Sequence, residues 1–327
     1  MEVRTLGSTG LRVGRIGLGC TTFGREIDEA ACFAIMDHAI ENGITFFDTA
    51  EAYGGGEAKQ YRKNHLGIDD EREVSSESHS SEKIIGRWMK SRACRDRIVL
   101  CTKVTTNHTR RHVAGALDAS LERLQTGYVD IYMLHSFDTA TPAEERLAAL
   151  DQVVRSGKAR HAGCSNYDTA QLREALDAGR HAGLRPIEVI EPNYNLLVRD
   201  IEAATLPLCQ ASGIGVVSYS PLGAGFLSGK YTPDRGAFPQ GSRFHVIPGH
   251  ADIYFSDRNF ATVEKLHAFA NRAGIPALRL AIGWVLQNPA VDTVLAGARS
   301  TAHLDNAIAA EAIHFRGEWY TEMNSWG

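Results

Sequence analysis

The sequence lacks any apolar run approaching the roughly 18 residues that a membrane-spanning helix needs. No membrane partner is expected. It also lacks a basic excess: 35 Lys and Arg stand against 39 Asp and Glu, a formal charge of −4. That balance excludes a generally basic nucleic-acid binder and allows only local basic patches. There is no Cys-x-x-Cys pair; the cysteines are Cys20, Cys32, Cys94, Cys101, Cys164 and Cys209. Cysteines scattered over 327 residues are expected to be reduced thiols. The opening Met-Glu-Val-Arg-Thr-Leu-Gly has no basic stretch ahead of an apolar run. No signal peptide is expected, and the cytosol is the expected compartment. Neither a His-Glu-x-x-His pattern nor a Walker-type phosphate loop occurs. His65, His79, His108 and His112 show no ligand spacing, and no metal is expected.

What is present is material for a large core, with 43% hydrophobic and 23% charged residues. The length allows two domains, or one α/β barrel with insertions. Short apolar runs alternate with stretches of helical period. The runs are 15–20, 44–49, 98–104, 129–135, 159–165, 187–191, 214–219 and 291–296. Between them, helices are predicted over 28–42, 82–91, 109–125, 142–156, 169–182 and 201–212, then 259–273 and 277–286. Asp28 reads as an N-cap, and Gly43 and Gly157 as helix stops. Near-continuous Val/Ile/Leu runs suit strands buried on both faces. The reading is therefore α/β: a (β/α)8 TIM barrel with an N-terminal β-hairpin and long C-terminal-face loops, one domain over 1–327. An open doubly wound sheet ranks second, because no Gly-x-Gly-x-x-Gly turn follows the first run. The hairpin, over 3–13, is expected to plug the N-terminal end of the barrel.

Active sites of such barrels lie at the C-terminal ends of the strands. The second run ends at Asp48, with Tyr53 five residues on; the third ends at Lys103 and the fourth at His135. Each alone has a plain structural reading, as a cap, a turn aromatic or a strand end. The fold would point all of them at one mouth. A free tyrosine titrates near 10, too high for proton exchange at neutral pH. A neighbouring ammonium is expected to lower that value, and a carboxylate to hold the ammonium in place. A histidine would orient a carbonyl oxygen. The set supplies a proton but no hydride, so a nicotinamide cofactor is implied.

The motifs occur in a recognisable order. Gly17-Leu-Gly19 is followed by Gly43-Ile-Thr-Phe-Phe-Asp48-Thr-Ala-Glu-Ala-Tyr53-Gly54 and Ser81-Glu82-x-x-Ile85-Gly86. Thr102-Lys103, Asp130-x-x-x-Leu134-His135, Gly163-x-Ser165-Asn166 and Tyr194-Asn195-Leu196-Leu197 come next. Tyr219-Ser220-Pro221-Leu222-Gly223 and Gly297-Ala298-Arg299-Ser300 close the series. In this the sequence resembles the aldo-keto reductase superfamily along nearly its whole length, of bacterial type and like the branch that holds potassium channel β-subunits. The resemblance implies Tyr53 as general acid/base, tuned by Lys103 and Asp48, with His135 orienting the carbonyl oxygen. It implies Ser165 and Asn166 on the nicotinamide carboxamide, Tyr219 stacked on the ring, and Cys20 and Thr21 near its ribose. Ser220, Leu222 and Gly223 would lie along the pyrophosphate. Gly297, Arg299 and Ser300 match the segment that meets the adenosine 2′-phosphate, and an Arg fork suits phosphate. NADP(H) is favoured and NAD(H) possible. The substrate is a small carbonyl compound or alcohol, with Phe23 as an apolar wall beside Tyr53 and His135.

The chain departs from the family pattern in places. Glu191 stands where a glutamine usually binds the carboxamide. A carboxylate accepts a hydrogen bond but donates none, and its charge would favour the oxidised cofactor; a neutral substitution is the alternative. His303 and Asn306 are the candidates for the adenine end, one residue short of the usual spacing. Were the register shifted, Ala307 would take the Asn position. The segment 57–80 is longer than usual and reads as a polar loop that shapes substrate access or a subunit contact, so oligomerisation is open. The loop 223–257 carries Lys230, Arg235, Arg243 and His245 toward phosphates. Trp319, Tyr320 and Trp326 either reach the mouth or pack outside. Two rival functions stand beside the oxidoreductase: a cofactor-sensing regulatory subunit, and a Schiff-base aldolase using Lys103.

Overall fold

In a computed structural model, residues 1–326 are described. The first strands are β1 (Val3–Thr5) and β2 (Arg12–Gly14), an antiparallel hairpin. The rest are β3 (Ile16–Gly19), β4 (Phe46–Asp48), β5 (Val99–Val104), β6 (Val129–Leu134), β7 (Ala159–Ser165), β8 (Val189–Glu191), β9 (Gly215–Ser218) and β10 (Thr293–Gly297). Among the described residues, β3 to β10 pair in parallel and close a barrel, with β10 against β3. This is the expected (β/α)8 barrel.

The predicted helices are present with ends shifted by a residue or two. Asp28 caps Glu29–Glu41 by accepting from the Ala31 N–H. Asp168 and Gln171 form a reciprocal capping box on Thr169–Ala182. The predicted helix at 201–212 is a short 3-10 turn, Asp200–Glu202, followed by Thr205–Ser212.

Two apolar layers form. Leu6, Val13, Phe46, Cys101, Ile131, Met133, Val189, Val217 and Leu295 fill the barrel interior. Leu6 and Val13 come from the hairpin, so the hairpin does plug the N-terminal end. Gly7 makes this possible: it holds φ +48°, and a Cβ there would lie 2.2 Å from the Gly215 nitrogen. The larger layer packs helices on the outer face of the strands, with Trp88 and Trp284 fully buried in it.

Several motif residues serve this packing. Ser81 donates to the Cys20 carbonyl at 2.9 Å, and Glu82 accepts from Thr102 and Arg123. Asp130 accepts from the Leu100 N–H and from Arg95 and Arg160. The aromatic tail packs outside: Trp319 and Trp326 meet Phe269 edge-on at 5.7 and 5.8 Å.

Candidate active site

Alternate residues of a strand face the same side. Phe46, Cys101, Val189 and Leu295 face the barrel interior. Two residues further, Asp48, Lys103, Glu191 and Gly297 stand one layer higher, at the C-terminal mouth. Met133 and His135 repeat the pattern on β6. The polar layer thus rests on an apolar one.

Lys103 is fully buried and is the hub of this layer. Its ammonium donates to Asp48 and, at 2.9 Å, to the Thr49 carbonyl. It also lies 3.3 Å from Glu191 Oε2. Burial opposes its charge, but Asp48 and Glu191 outweigh that, and its pKa rises well above the usual lysine value. A Schiff-base lysine needs a neutral amine open to substrate. Lys103 is charged, sealed and spoken for, which argues against the aldolase reading. Asp48, Cys101 and Glu191 also bring one donor atom each within 4.8 Å of one another. The ammonium already serves the two carboxylates, and burial keeps the Cys101 thiol protonated. The trio is a seat for Lys103.

Tyr53 is half-buried at the mouth. Its ring centroid lies 5.2 Å from Lys103 Nζ and 5.5 Å from the His135 ring, edge-on at 74°. The expected lowering of its pKa is not what the surroundings produce. Desolvation in the crowded mouth raises it; Lys103 lowers it by less, and Asp48 and Glu191 oppose Lys103. Tyr53 is therefore a firmly protonated phenol, a donor poised for reduction. Burial, helped by Lys103, pulls His135 down to about 3, so its imidazole is neutral. Its Nδ1 is buried and has no partner.

Asn166 ties the opposite wall together. Its amide donates to the His135 carbonyl at 2.9 Å and to Ser165 Oγ at 3.1 Å. Its oxygen accepts from the Tyr219 hydroxyl at 2.7 Å. Ser165 in turn donates to the Glu191 carbonyl at 2.8 Å. Both Asn166 donors are used within the protein, leaving the second lone pair of its oxygen for a ligand.

These groups open onto a cavity of about 610 Å³. Thr21, Ser220, Leu222, Gly297, Arg299, His303 and Asn306 line it. Asn306 lines the cavity and Ala307 is buried away from it, so the register does not shift Ala307 into the Asn position. Part of the lining is cationic. Glu26 is nearly buried and pairs with Arg25 and Arg243, both at 2.9 Å, with Arg299 at 4.0 Å. Burial opposes the charge of Glu26, but Arg243 and Arg25 prevail and hold its pKa low. Lys230 lines the cavity as well. Arg25, Lys230, Arg243 and Arg299 thus outnumber the lining acids Glu26 and Glu57 beside them.

Four sequence expectations need correction. Phe23 has no exposure and packs into the outer core, away from the cavity. The turn after β3 folds its ring inward, while its carbonyl accepts from Ser80. Cys20 is also sealed, its thiol directed at the Leu18 carbonyl. Gly223 is buried against Leu197 and Tyr254, and Ser300 occupies the N-cap position of Thr301–Glu311; neither lines the cavity. The apolar wall comes instead from Ala52, Ala58, Tyr61 and Ile247.

Two of those residues belong to the expected loop 57–80, which contains a helix, Glu57–Leu66. It lacks an apolar stripe, so periodicity did not show it. Arg62, fully buried, anchors it: the guanidinium meets Asp70 at 3.1 Å, Glu73 at 3.5 Å and the Val246 carbonyl at 2.6 Å. Arg72 donates to the His245 carbonyl at 2.8 Å. The insertion thus grips the loop after β9 and walls the mouth. Arg62→Met strands the buried Glu73 carboxylate. A loss of about 3–5 kcal/mol in stability is expected by urea unfolding, with no change at Lys103 or Tyr53.

Residues 15–326 match the Aldo/keto reductase family, and the chain belongs to it. An uncharacterized oxidoreductase, YrpG of Bacillus subtilis (strain 168), is 32% identical, covering 99% of this chain and 95% of the relative. A probable voltage-gated potassium channel subunit beta of Arabidopsis thaliana is 31% identical, over 95% and 91% of the two chains. Probable aldo-keto reductase 1 of Glycine max is 28% identical, over 94% and 84%. No described helix is long and apolar enough to cross a membrane.

Proposed function

We propose that this aldo/keto reductase family protein is an NADP(H)-dependent oxidoreductase that interconverts a carbonyl compound and an alcohol. The observation that carries the reading is the meeting of Tyr53, His135 and the Asp48–Lys103 pair at a cavity whose lining also carries Arg25, Lys230, Arg243 and Arg299. The cavity suits a dinucleotide on three further counts. Its size is that of a small-molecule site. His135 Nδ1 and Glu191 Oε2 are buried without hydrogen-bond partners. A Cβ on Gly297 would meet no protein atom, so backbone is bared there.

A nicotinamide held in this cavity would supply or accept the hydride. The proton work belongs to the protein. In reduction Tyr53 gives its phenolic proton to the carbonyl oxygen, and Lys103 stabilises the phenolate that remains. Asp48 keeps the ammonium aimed. The neutral His135 holds the carbonyl oxygen through a ring N–H. Alcohol oxidation reverses these roles. Asn166, Ser165 and Tyr219 form the wall against which the ring is held, and Thr21, Ser220, Leu222, His303 and Asn306 line the path to the adenosine end. The whole of 1–327 acts as one unit, in a cytosolic setting supported by six buried free thiols.

Arg299, Arg243 and Lys230 favour the phosphorylated cofactor. Arg299→Ala weakens NADPH about tenfold or more, by loss of a charge-assisted contact, and leaves NADH affinity nearly unchanged. Fluorescence titration of both nucleotides checks this. The activity itself is tested by a screen of aldehydes, ketones and sugars with NADPH, and alcohols with NADP+, followed at the nicotinamide absorbance. Nucleotide binding with no turnover on any class would instead favour a nucleotide-sensing subunit. That second reading is supported by the likeness to the Arabidopsis channel subunit.

A further inference from the structure

One ammonium serves two buried carboxylates in this protein. Asp48, Lys103 and Glu191 are each no more than 2% exposed. Asp48 takes a hydrogen bond from Lys103, whereas Glu191 Oε2, at 3.3 Å from Nζ, accepts none. Oxygens of Asp48 and Glu191 come within 4.8 Å of each other. The other titratable groups facing Glu191 carry no compensating charge. Tyr53, Tyr219 and Cys101 are held as neutral acids by burial, and His135 is a neutral imidazole. With both carboxylates ionised, a sealed layer would hold a net negative charge, which a low-dielectric site disfavours.

We propose that Asp48 and Glu191 share a single proton across Lys103, resting on Glu191, and that Glu191 releases it to solvent when a cationic nicotinamide ring comes to lie beside it. No bond to the nucleotide forms and no electrons move; Glu191–COOH becomes Glu191–COO⁻ plus one proton. Burial and the Asp48 charge both push Glu191 well above the usual carboxylate range, in keeping with a retained proton. The ionised Glu191 then neutralises the oxidised ring, which the reduced, uncharged ring does not require. Glu191 is thus a charge-setting residue that separates the two redox states of the cofactor. The inference rests on the nicotinamide reading above.

The test is calorimetric titration of the wild-type protein with NADP+ and with NADPH, in two buffers of different ionisation enthalpy and across pH 6 to 9. The wild type should release up to about one more proton with NADP+ than with NADPH. Its NADP+/NADPH affinity ratio should climb with pH, by up to about tenfold per unit. Titration of the 2′-phosphate is common to both nucleotides and cancels in the ratio. Glu191→Gln should abolish the proton difference and flatten the ratio, with a melting temperature held or raised. Two results overturn the proposal: both nucleotides bind and the wild-type ratio is flat, or Glu191→Gln keeps the slope. The wild-type result decides even if the variant does not fold. If neither nucleotide binds, the cofactor reading falls, and the proposal with it.

Discussion

Tyr53→Phe keeps its nucleotide affinity and loses about 10²- to 10⁴-fold in kcat, the share that a positioned general acid contributes. The ring stays, so the contact with His135 and the packing at the mouth are preserved. Only the proton is removed. The direction of the Tyr53 shift adds a pH signature. Because its pKa is raised, the phenol is protonated throughout the neutral range, and carbonyl reduction should be nearly flat there. Alcohol oxidation needs the phenolate and should accelerate as pH rises. His135, pulled down to about 3, contributes no limb near pH 6. Stopped-flow traces in both directions give these profiles. Near-normal turnover of Tyr53→Phe would remove this residue from the mechanism.

Lys103→Met is expected to cost both activity and stability. It leaves Asp48 and Glu191 facing each other without a cation. Breaking a buried ion group of this kind costs about 3–5 kcal/mol. Turnover should fall by about 10²-fold or more, because the Tyr53 phenolate loses its stabilising charge. The stability of the variant has a pH direction. A carboxylate whose folded pKa is raised loses stability as pH climbs above its unfolded value near 4, until the folded value is passed. Glu191 is already raised with Lys103 present, and more so without it. The stability of the variant itself should therefore fall from pH 5 upward. Adding Glu191→Gln to Lys103→Met should recover part of it, since one of the two stranded carboxylates is gone. Urea unfolding at pH 5 and pH 8 checks all of these. A variant stability independent of pH, or a double variant weaker than the single, would contradict the charge arrangement.

Much of this layer could be read from the strands alone. Asp48, Lys103 and His135 end apolar runs, and period two carries each to the inner face of the barrel. The hairpin plug was legible for a similar reason, since Leu6 and Val13 are apolar residues on either side of a turn. Other features depend on the path of the chain between strands. Phe23 follows β3 closely enough to suggest the mouth, yet the turn buries it. The helix Glu57–Leu66 is held by Arg62 and its acidic partners, not by an apolar face, so hydrophobic periodicity carried no trace of it. The pKa of Tyr53 was anticipated from its cation alone. Desolvation, which depends on how tightly the mouth closes, reverses the sign. Glu191 was weighed against an amide ligand; its contact with Lys103 emerges only when β5 and β8 face each other across the barrel.

The decisive measurement is isotope transfer from NADPH deuterated at the transferable position of the ring. The wild-type protein is incubated with this nucleotide and the best carbonyl substrate of the screen, and the product is analysed by mass spectrometry. Deuterium at the former carbonyl carbon, with its appearance suppressed in Tyr53→Phe, is the predicted result. Nucleotide and substrate both bound, with no label in any product, would contradict it.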